Sequence, residues 1–358
     1  MWPDSRLLDL AGIELPIIQA PMAGASGSAM AIAVSEAGGL GSLPCAMLDA
    51  ASAGTEIGAI RQRTTKPINA NFFCHTSEKP DPARDARWRE RLAAYYAEHR
   101  LDAAAAPAFS RAPFGEAMCE AVEKYQPEVV SFHFGLPEKA LLDRVKAAGS
   151  VVLSSATTVD EARWLEDHGC DAIIAQGYEA GGHRGMFLSD DISVQPGTFA
   201  LVPQVVDAVK IPVIAAGGIA DGRGIAAAFA LGAAGVQIGT AYLFTPESLI
   251  SDLHRAALRD ARDNQTALTN VFSGRPARGL VNRIMREVGP MSDRTPAFPA
   301  AGNALAPLKA TAEAAGLTDF SSLWSGQAAA LGREIDCAGL THELAADAQR
   351  RLRALTSI

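Results

Sequence analysis

The sequence predicts an α/β protein closed into a (β/α)8 TIM barrel, with a helical insertion after the third strand and a C-terminal helical extension. Three observations lead there. The 358 residues exceed the roughly 250 of a bare barrel. The composition, 48% apolar with 6% aromatic and 32 Gly, is that of aliphatic strands layered with helices, not of a disordered or fibrous chain. Finally, eight short apolar runs, mostly ending in Gly, Ser or Asn, recur between amphipathic stretches, the alternation expected of βα units on a parallel sheet.

The eight runs are Ile17 to Ala20, Gly39 to Leu43, Ile68 to Phe73, Val129 to Phe134, Val151 to Ser155, Ala172 to Gln176, Val213 to Ala216 and Gly235 to Ile238. Between them, Ser26 opens a helix running to Glu36, Thr158 one that ends near Gly169, and Asp221 caps one from Gly222 to Leu231, each a side-chain oxygen suited to a first helical turn. The third connection, about 74–127, is too long for a plain βα linker; its charged stretch from Arg84 to Arg100 predicts a helical insertion with a solvated face. The Ala103 to Ala108 cluster is too short to count as low complexity. Residues 1–243 therefore form the barrel unit, and 244–358 a helical subdomain that completes it, punctuated by Pro246, Pro276, Pro290 and Pro296.

A net charge of -8 offers no basic field for nucleic acid or anionic lipid, so an anionic ligand must be held by local donors. Cys45, Cys74, Cys119, Cys170 and Cys337 are scattered and odd in number, which predicts buried reduced thiols, not a disulfide framework or a zinc site. The start, Met1 to Arg6, has no apolar signal region, and no stretch supplies about 18 uninterrupted apolar residues, pointing to the cytoplasm and away from a membrane.

Ligands of a parallel barrel sit at the carboxyl ends of its strands, so those ends are where chemistry belongs. The seventh strand runs into Gly217-Gly218 and Asp221, and the eighth ends at Gln237-Ile238-Gly239-Thr240; together the two loops make a nest of amides plus a hydroxyl suited to a phosphate monoester. The spacing does not match GxGxxG, so a Rossmann dinucleotide site is not indicated. Asn71 and Gln176 are amides in apolar strands that either meet a flavin ring edge or bond backbone in the core, and Met22 either packs on the ring plane or fills core.

Of the seven His, His99, His168, His254 and His342 lie in helical or charged stretches and are expected at the surface, and His75 is weighed toward a structural place. His183, in Glu179-Ala180-Gly181-Gly182-His183-Arg184-Gly185, and His133, in Ser131-Phe132-His133-Phe134-Gly135, fall at strand ends facing the mouth. Such an imidazole takes a proton from a substrate carbon or donates to a substrate anion, since its pKa lies near working pH. Gly181, Gly182 and Gly185 leave room beside it, while Arg184 is either an anion partner or points to solvent. No local spacing of ligands suggests a metal, and Gly24-Ala25-Ser26-Gly27-Ser28 places Ser one position too early for a hydrolase elbow.

Four ordered motifs, Gln19-Ala20-Pro21-Met22-Ala23-Gly24, Asn71-Phe72-Phe73, Ser131 to Gly135 and Glu179 to Gly185, resemble class I nitronate monooxygenases, the 2-nitropropane dioxygenase-like family, over residues 17 to about 245. Trp324-Ser325-Gly326-Gln327 is similar to that family's C-terminal flavin contact. Ala25 departs from the second Gly often found there, which bears on loop geometry. The resemblance implies FMN, alkyl nitronates such as propionate 3-nitronate, and O2 as oxidant, giving a carbonyl compound with nitrite or nitrate and using no NADH. It implies His183 as the active-site His, His133 as an aid in binding the anion, and flavin contacts from Asn71, Gln176, Gly181, Gly218, Gln237 to Thr240, and Trp324 to Gln327. Expected partners are the small substrate and O2, without nucleic acid or membrane, in a homodimer. The alternatives are an FMN-dependent enoyl-acyl-carrier-protein reductase using NAD(P)H, against which the Ser-Phe-His-Phe-Gly motif speaks, and a non-catalytic flavin-binding protein.

Overall fold

The computed structural model describes residues 2–77, 79, 81–102 and 112–356, so the Ala103 to Ala108 cluster lies outside the described residues. Its strands are β1 (Ile17–Gln19), β2 (Gly41–Pro44), β3 (Ile68–Phe73), β4 (Val129–His133), β5 (Val151–Ala156), β6 (Ala172–Gln176), a short β7 (Gly182–His183), β8 (Val213–Ala216), β9 (Gly235–Ile238), β10 (Thr266–Thr269) and β11 (Ala277–Leu280). Eight of them pair in parallel in the order β1-β9-β8-β6-β5-β4-β3-β2. A parallel bridge between Ile18 and Leu40 joins the two ends and makes a (β/α)8 barrel. All eight anticipated strands are present; the second begins at Gly41 because residue 40 touches β1 only through that bridge.

The strands are short because only alternate residues face inwards, and the barrel needs few layers to fill. Ile18, Leu40, Val129, Leu153, Ile174 and Ile214 plug the interior, whereas Ile17, Val130, Val152, Ile173 and Val236 face the surrounding helices. Helix starts follow side-chain caps: Thr158 accepts from the Glu161 N–H and Asp221 from the Arg223 N–H. Ser26 does not cap. Its hydroxyl is spent on the Met22 backbone, and the helix starts two residues later, at Ser28.

The extension corrects the all-helical expectation for 244–358: β10 and β11 form an antiparallel hairpin, and β7 adds to its edge. Each strand is four residues long, too short for a period-2 signal to stand out. The insertion helix, Pro82–Glu98, is capped by Asp81 and exposes its charges. Its other face buries Trp88, Leu92, Tyr95 and Tyr96 against Val271, Phe272, Ile284, Leu308 and Phe320 of the extension, a second core beside the barrel. Trp88 Nε1 donates to the Ala301 carbonyl at 3.0 Å, and the Tyr96 hydroxyl to that of Ala304 at 2.6 Å. The last helix, Cys337–Thr356, returns to pack on helices Gly222–Ala230 and Ser28–Glu36.

Trp88 is 1% exposed and joins the two additions, so Trp88→Ala is expected to lower the unfolding free energy by about 3–5 kcal/mol. Urea unfolding followed by circular dichroism measures this; an unchanged midpoint would show that the insertion helix does not hold the extension.

Candidate active site

Polarity rises along the barrel axis. Inside the barrel, Asn69, in register with Val129, donates to the Ser42 hydroxyl at 3.0 Å, and two residues further along β3 Asn71 Nδ2 donates to the Ser131 hydroxyl and carbonyl at 2.9 and 3.2 Å. The top layer holds His133, Ser155, Gln176 and Gln237, all at the carboxyl ends of strands. Period-2 alternation in parallel strands produces this stacking without further instruction.

The Gly-rich segment after β6 crosses the mouth and is tied down at nearly every residue. Its β7 portion pairs with β11, Ala277 opposite His183 and Arg278 opposite Gly182. The His183 carbonyl accepts from Gln176 Nε2 at 3.0 Å and from His133 Nε2 at 3.2 Å, and Gln176 Oε1 accepts the Gly185 N–H at 2.8 Å. Gln176 therefore holds this loop with both ends of its amide.

Arg184 is fully buried, neither the anion partner nor the solvent-facing side chain considered from sequence. Its guanidinium donates to the Gly177 and Gln176 carbonyls at 2.6 and 2.7 Å and to Gln195 Oε1 at 2.7 Å. Burial, then the nearby Arg278, lowers its pKa to about 10. The carbonyls at the end of β6 thus carry a cation that ties both ends of the loop together.

Because His133 Nε2 donates to a carbonyl, its Nδ1 accepts, and the Ser155 hydroxyl 3.1 Å away is the donor. Burial lowers its pKa to about 4, against the bond to the His183 carbonyl and aided by Arg275 and Arg184. His133 is neutral with both nitrogens engaged, so in this arrangement it supports the loop, unlike the anion-binding part implied by resemblance.

The His183 ring stands in an aromatic box. Centroids of Phe298 and Trp324 lie 5.5 Å away, Phe134 6.1 Å and Phe73 6.3 Å. Phe134 sits at φ 70, a conformation disfavoured for a bulky residue that aims its ring into the site; the Arg275 guanidinium lies 4.3 Å over that ring. The Ser273 hydroxyl is 2.8 Å from His183 Nε2. Sequence reading missed Ser273, Arg275 and Phe298. The turn signal Gly274-Arg275-Pro276 was present, but nothing local says which loop a hairpin turn will meet.

The opposite side suits a cofactor. Gly181 is required by close approach: a Cβ there would lie 2.5 Å from the Gly326 nitrogen. Gly182, at φ +71, has nothing within 4 Å of a would-be Cβ and so opens onto space. Gly217 and Gly218, at φ +113 and +70, turn their backbone beside a cavity of about 500 Å³ also bordered by Glu179, Thr198 and Gln327. Thr240 Oγ1 accepts the Gly326 N–H at 2.9 Å, and the Gln327 N–H reaches the Glu179 carbonyl at 3.0 Å. Gly239 would meet Met22 Sδ at 3.6 Å, which places Met22 at the same rim. Gln237 Oε1 is buried with no hydrogen-bond partner among the described residues. Ile238 turns its side chain into the outer, helix-facing core.

His254, expected at the surface, is buried, and its Nε2 donates to the Trp324 carbonyl at 3.2 Å; burial lowers its pKa to about 4. His75 is buried with its ring 4.9 Å from Phe298. The five thiols are unpaired, and burial raises Cys45, Cys170 and Cys337 to about 12, leaving them poor nucleophiles. Among the described residues no cluster of three His, Cys, Asp or Glu gathers as a metal needs, and no helix is long and apolar enough to cross a membrane.

His133 and His254 have folded pKa values near 4, below the ordinary 6.5. The unfolded chain therefore takes up protons first as pH falls, and their contribution, complete above 6.5, is lost towards 4. Thermal midpoints across that window should fall more steeply for the wild type than for His133→Gln/His254→Gln; parallel curves would dismiss the two buried rings as acid-sensitive elements.

A family model described as nitronate monooxygenase matches residues 4–347. The chain is 42% identical over 342 residues to a nitronate monooxygenase of Pseudomonas aeruginosa, covering 95% of this chain and 97% of that one. A solved structure of nitroalkane oxidase from Streptomyces ansochromogenes superposes with a TM-score of 0.89 at 40% identity, over 98% of this chain and 100% of the other. FabK from Thermotoga maritima gives 0.72 at 28%, covering 98% of each chain. With its barrel, its Gly-His loop and a match running nearly end to end, this chain is an oxidoreductase and belongs to the nitronate monooxygenase family.

Proposed function

We propose that the chain is an FMN-dependent nitronate monooxygenase, oxidising alkyl nitronates, propionate 3-nitronate among them, with O2 to a carbonyl compound and nitrite or nitrate. The observation that carries this is the placement of the His183 ring: on a clamped loop, inside an aromatic box, next to the open face of Gly182. Family membership and the likeness to nitroalkane oxidase support it.

The residues present fit FMN. The orphaned Gln237 Oε1 is an acceptor for a ring N–H. The positive-φ Gly217-Gly218 pair and the Thr240 hydroxyl suit a phosphate monoester at the last two βα loops. Trp324 and Met22 would border a bound flavin ring, and Asn71 would offer its Oδ1 to the same edge. When bound, FMN supplies the two-electron acceptor that takes electrons from the substrate carbon and passes them to O2.

The chain's own groups do the rest. Neutral His183 accepts a proton from the carbon of a nitroalkane; protonated, it donates to a nitronate oxygen. Phe73, Phe134, Phe298 and Trp324 keep water from that exchange and strengthen its electrostatics.

Anaerobic mixing of the purified yellow protein with propionate 3-nitronate should bleach the flavin rapidly, and mixing with NADH should not. Bleaching by NADH alone would overturn the reading in favour of enoyl reduction. Replacing His183 by Asn should retain FMN and cost about 100- to 10,000-fold in turnover; an unchanged rate would remove His183 from the chemistry.

A further inference from the structure

Helix Asp252–Arg259 turns two residues one turn apart, His254 and Leu258, into the fold. Leu258 joins Leu243, Leu280 and Leu323 in an apolar cluster, and the imidazole enters beside it, 8% exposed. The ring ends at a backbone oxygen, with His254 Nε2 3.2 Å from the Trp324 carbonyl. A carbonyl only accepts, so Nε2 carries the hydrogen of this bond. Burial lowers the pKa of the ring to about 4, so the donor is a neutral imidazole at neutral pH.

That carbonyl belongs to the peptide joining Trp324 and Ser325, whose N–H donates to the Arg278 carbonyl at 3.2 Å. The two bonds hold the peptide plane from both sides. Further along, the Gly326 N–H reaches Thr240 Oγ1 at 2.9 Å and the Gln327 N–H the Glu179 carbonyl at 3.0 Å. His254 therefore anchors the start of a strap that runs from the extension onto the Gly-rich loop.

The indole of Trp324 leaves the strap at this anchored end. Trp324 bridges to Gly279 through its backbone, and a Cβ on Gly279 would come 3.2 Å from Trp324 Cε3, so the indole rests where a side chain is missing. Phe272 meets the ring edge-on with centroids 5.5 Å apart, and the His183 ring lies 5.5 Å away on a tilt. Without the imidazole, the buried carbonyl would lose its donor, and the peptide would turn towards another. The Cα that carries the indole shifts with such a turn.

We propose that His254 is a positioning residue: by holding the Trp324 carbonyl it fixes the indole over the His183 ring, and it acts on the reaction through Trp324 without touching substrate. The inference rests on the reading of this mouth as a nitronate site with His183 as its reactive ring. Displacing a wall of such a site by about 1 Å costs on the order of 100-fold in rate, so a buried bond one residue-layer away carries weight in turnover.

The test is a double-mutant cycle on the FMN-loaded protein with ethyl nitronate and O2, pairing His254→Leu with Trp324→Ala. His254→Leu deletes the donor and should lower kcat about 10- to 100-fold; His254→Gln, whose amide nitrogen reaches the place of Nε2, should restore most of it. In Trp324→Ala, where no indole is left to place, the same His254→Leu change should cost about twofold or less. A wild-type kcat in His254→Leu, or an equal loss in both backgrounds, would overturn the inference. His254→Asn, whose shorter amide stops short of the carbonyl, serves the same cycle should the Leu variant fail to fold. Histidine 15N spectra of the wild type at neutral pH, with His254 assigned by its absence from His254→Gln, read the bond itself. Hydrogen on Nε2 supports the inference, and a ring with hydrogen on Nδ1 alone refutes it. A wild type inactive on ethyl nitronate, or a fully active His183→Asn, would instead overturn the underlying reading.

Discussion

The carbonyl oxygen of His183 is the point on which this site depends. It accepts two N–H donors, one from Gln176 on β6 and one from His133 on β4, so the backbone of His183 is bolted to the barrel through its own peptide carbonyl. A catalytic side chain on a glycine-rich loop would otherwise sample many orientations, and placement to within a fraction of an ångström is what separates a working site from a nominal one. Because the two donors come from separate strands, the carbonyl is positioned by the barrel as a whole. Its own loop does not set it.

The buried charge of Arg184 belongs to the same design. A guanidinium in an apolar setting is costly unless its donors are satisfied, and here three of them meet the Gln176 and Gly177 carbonyls and Gln195. Those carbonyls end β6, where no further strand residue receives them. One cation therefore satisfies the strand end and closes the loop back on its own start. Glu161 does comparable work downstream, accepting from the Phe187 and Leu188 N–H groups and from Thr157. Much of the loop's hydrogen-bonding capacity is thus engaged within the fold, while Gly182 keeps an open face.

The two additions to the barrel explain how the site is roofed. The insertion helix and the extension bury one shared core, built on Trp88, Tyr96, Phe272 and Phe320. From that platform the β10–β11 hairpin reaches back to pair with β7, and Trp324 and Phe298 are brought over the imidazole. His254, buried beneath, fixes the Trp324 carbonyl. The extension therefore walls the candidate site as well as covering the fold.

What the sequence by itself determined follows from local periodicity. Eight apolar runs fall where eight strands lie, and the residues at their ends, Asn71, His133, Gln176, His183, Gly217 and Gly218, gather at one mouth because parallel strands of a barrel all end on the same side. Tertiary structure decided the rest. Ile238 faces outward because a strand shows alternate residues to opposite faces, and Ser26 bonds Met22 instead of capping a helix, a choice between two local partners that spacing cannot make. Arg184 and His254 are charged or polar letters that read as surface until their partners, distant carbonyls, are known. Ser273 and Arg275 join the site only through the register of β7 on β11, a pairing about 90 residues apart in the chain. Short, mixed strands carry little signal of their own, and which loop a turn will cover is settled by the whole packing of the chain, not by the residues of the turn.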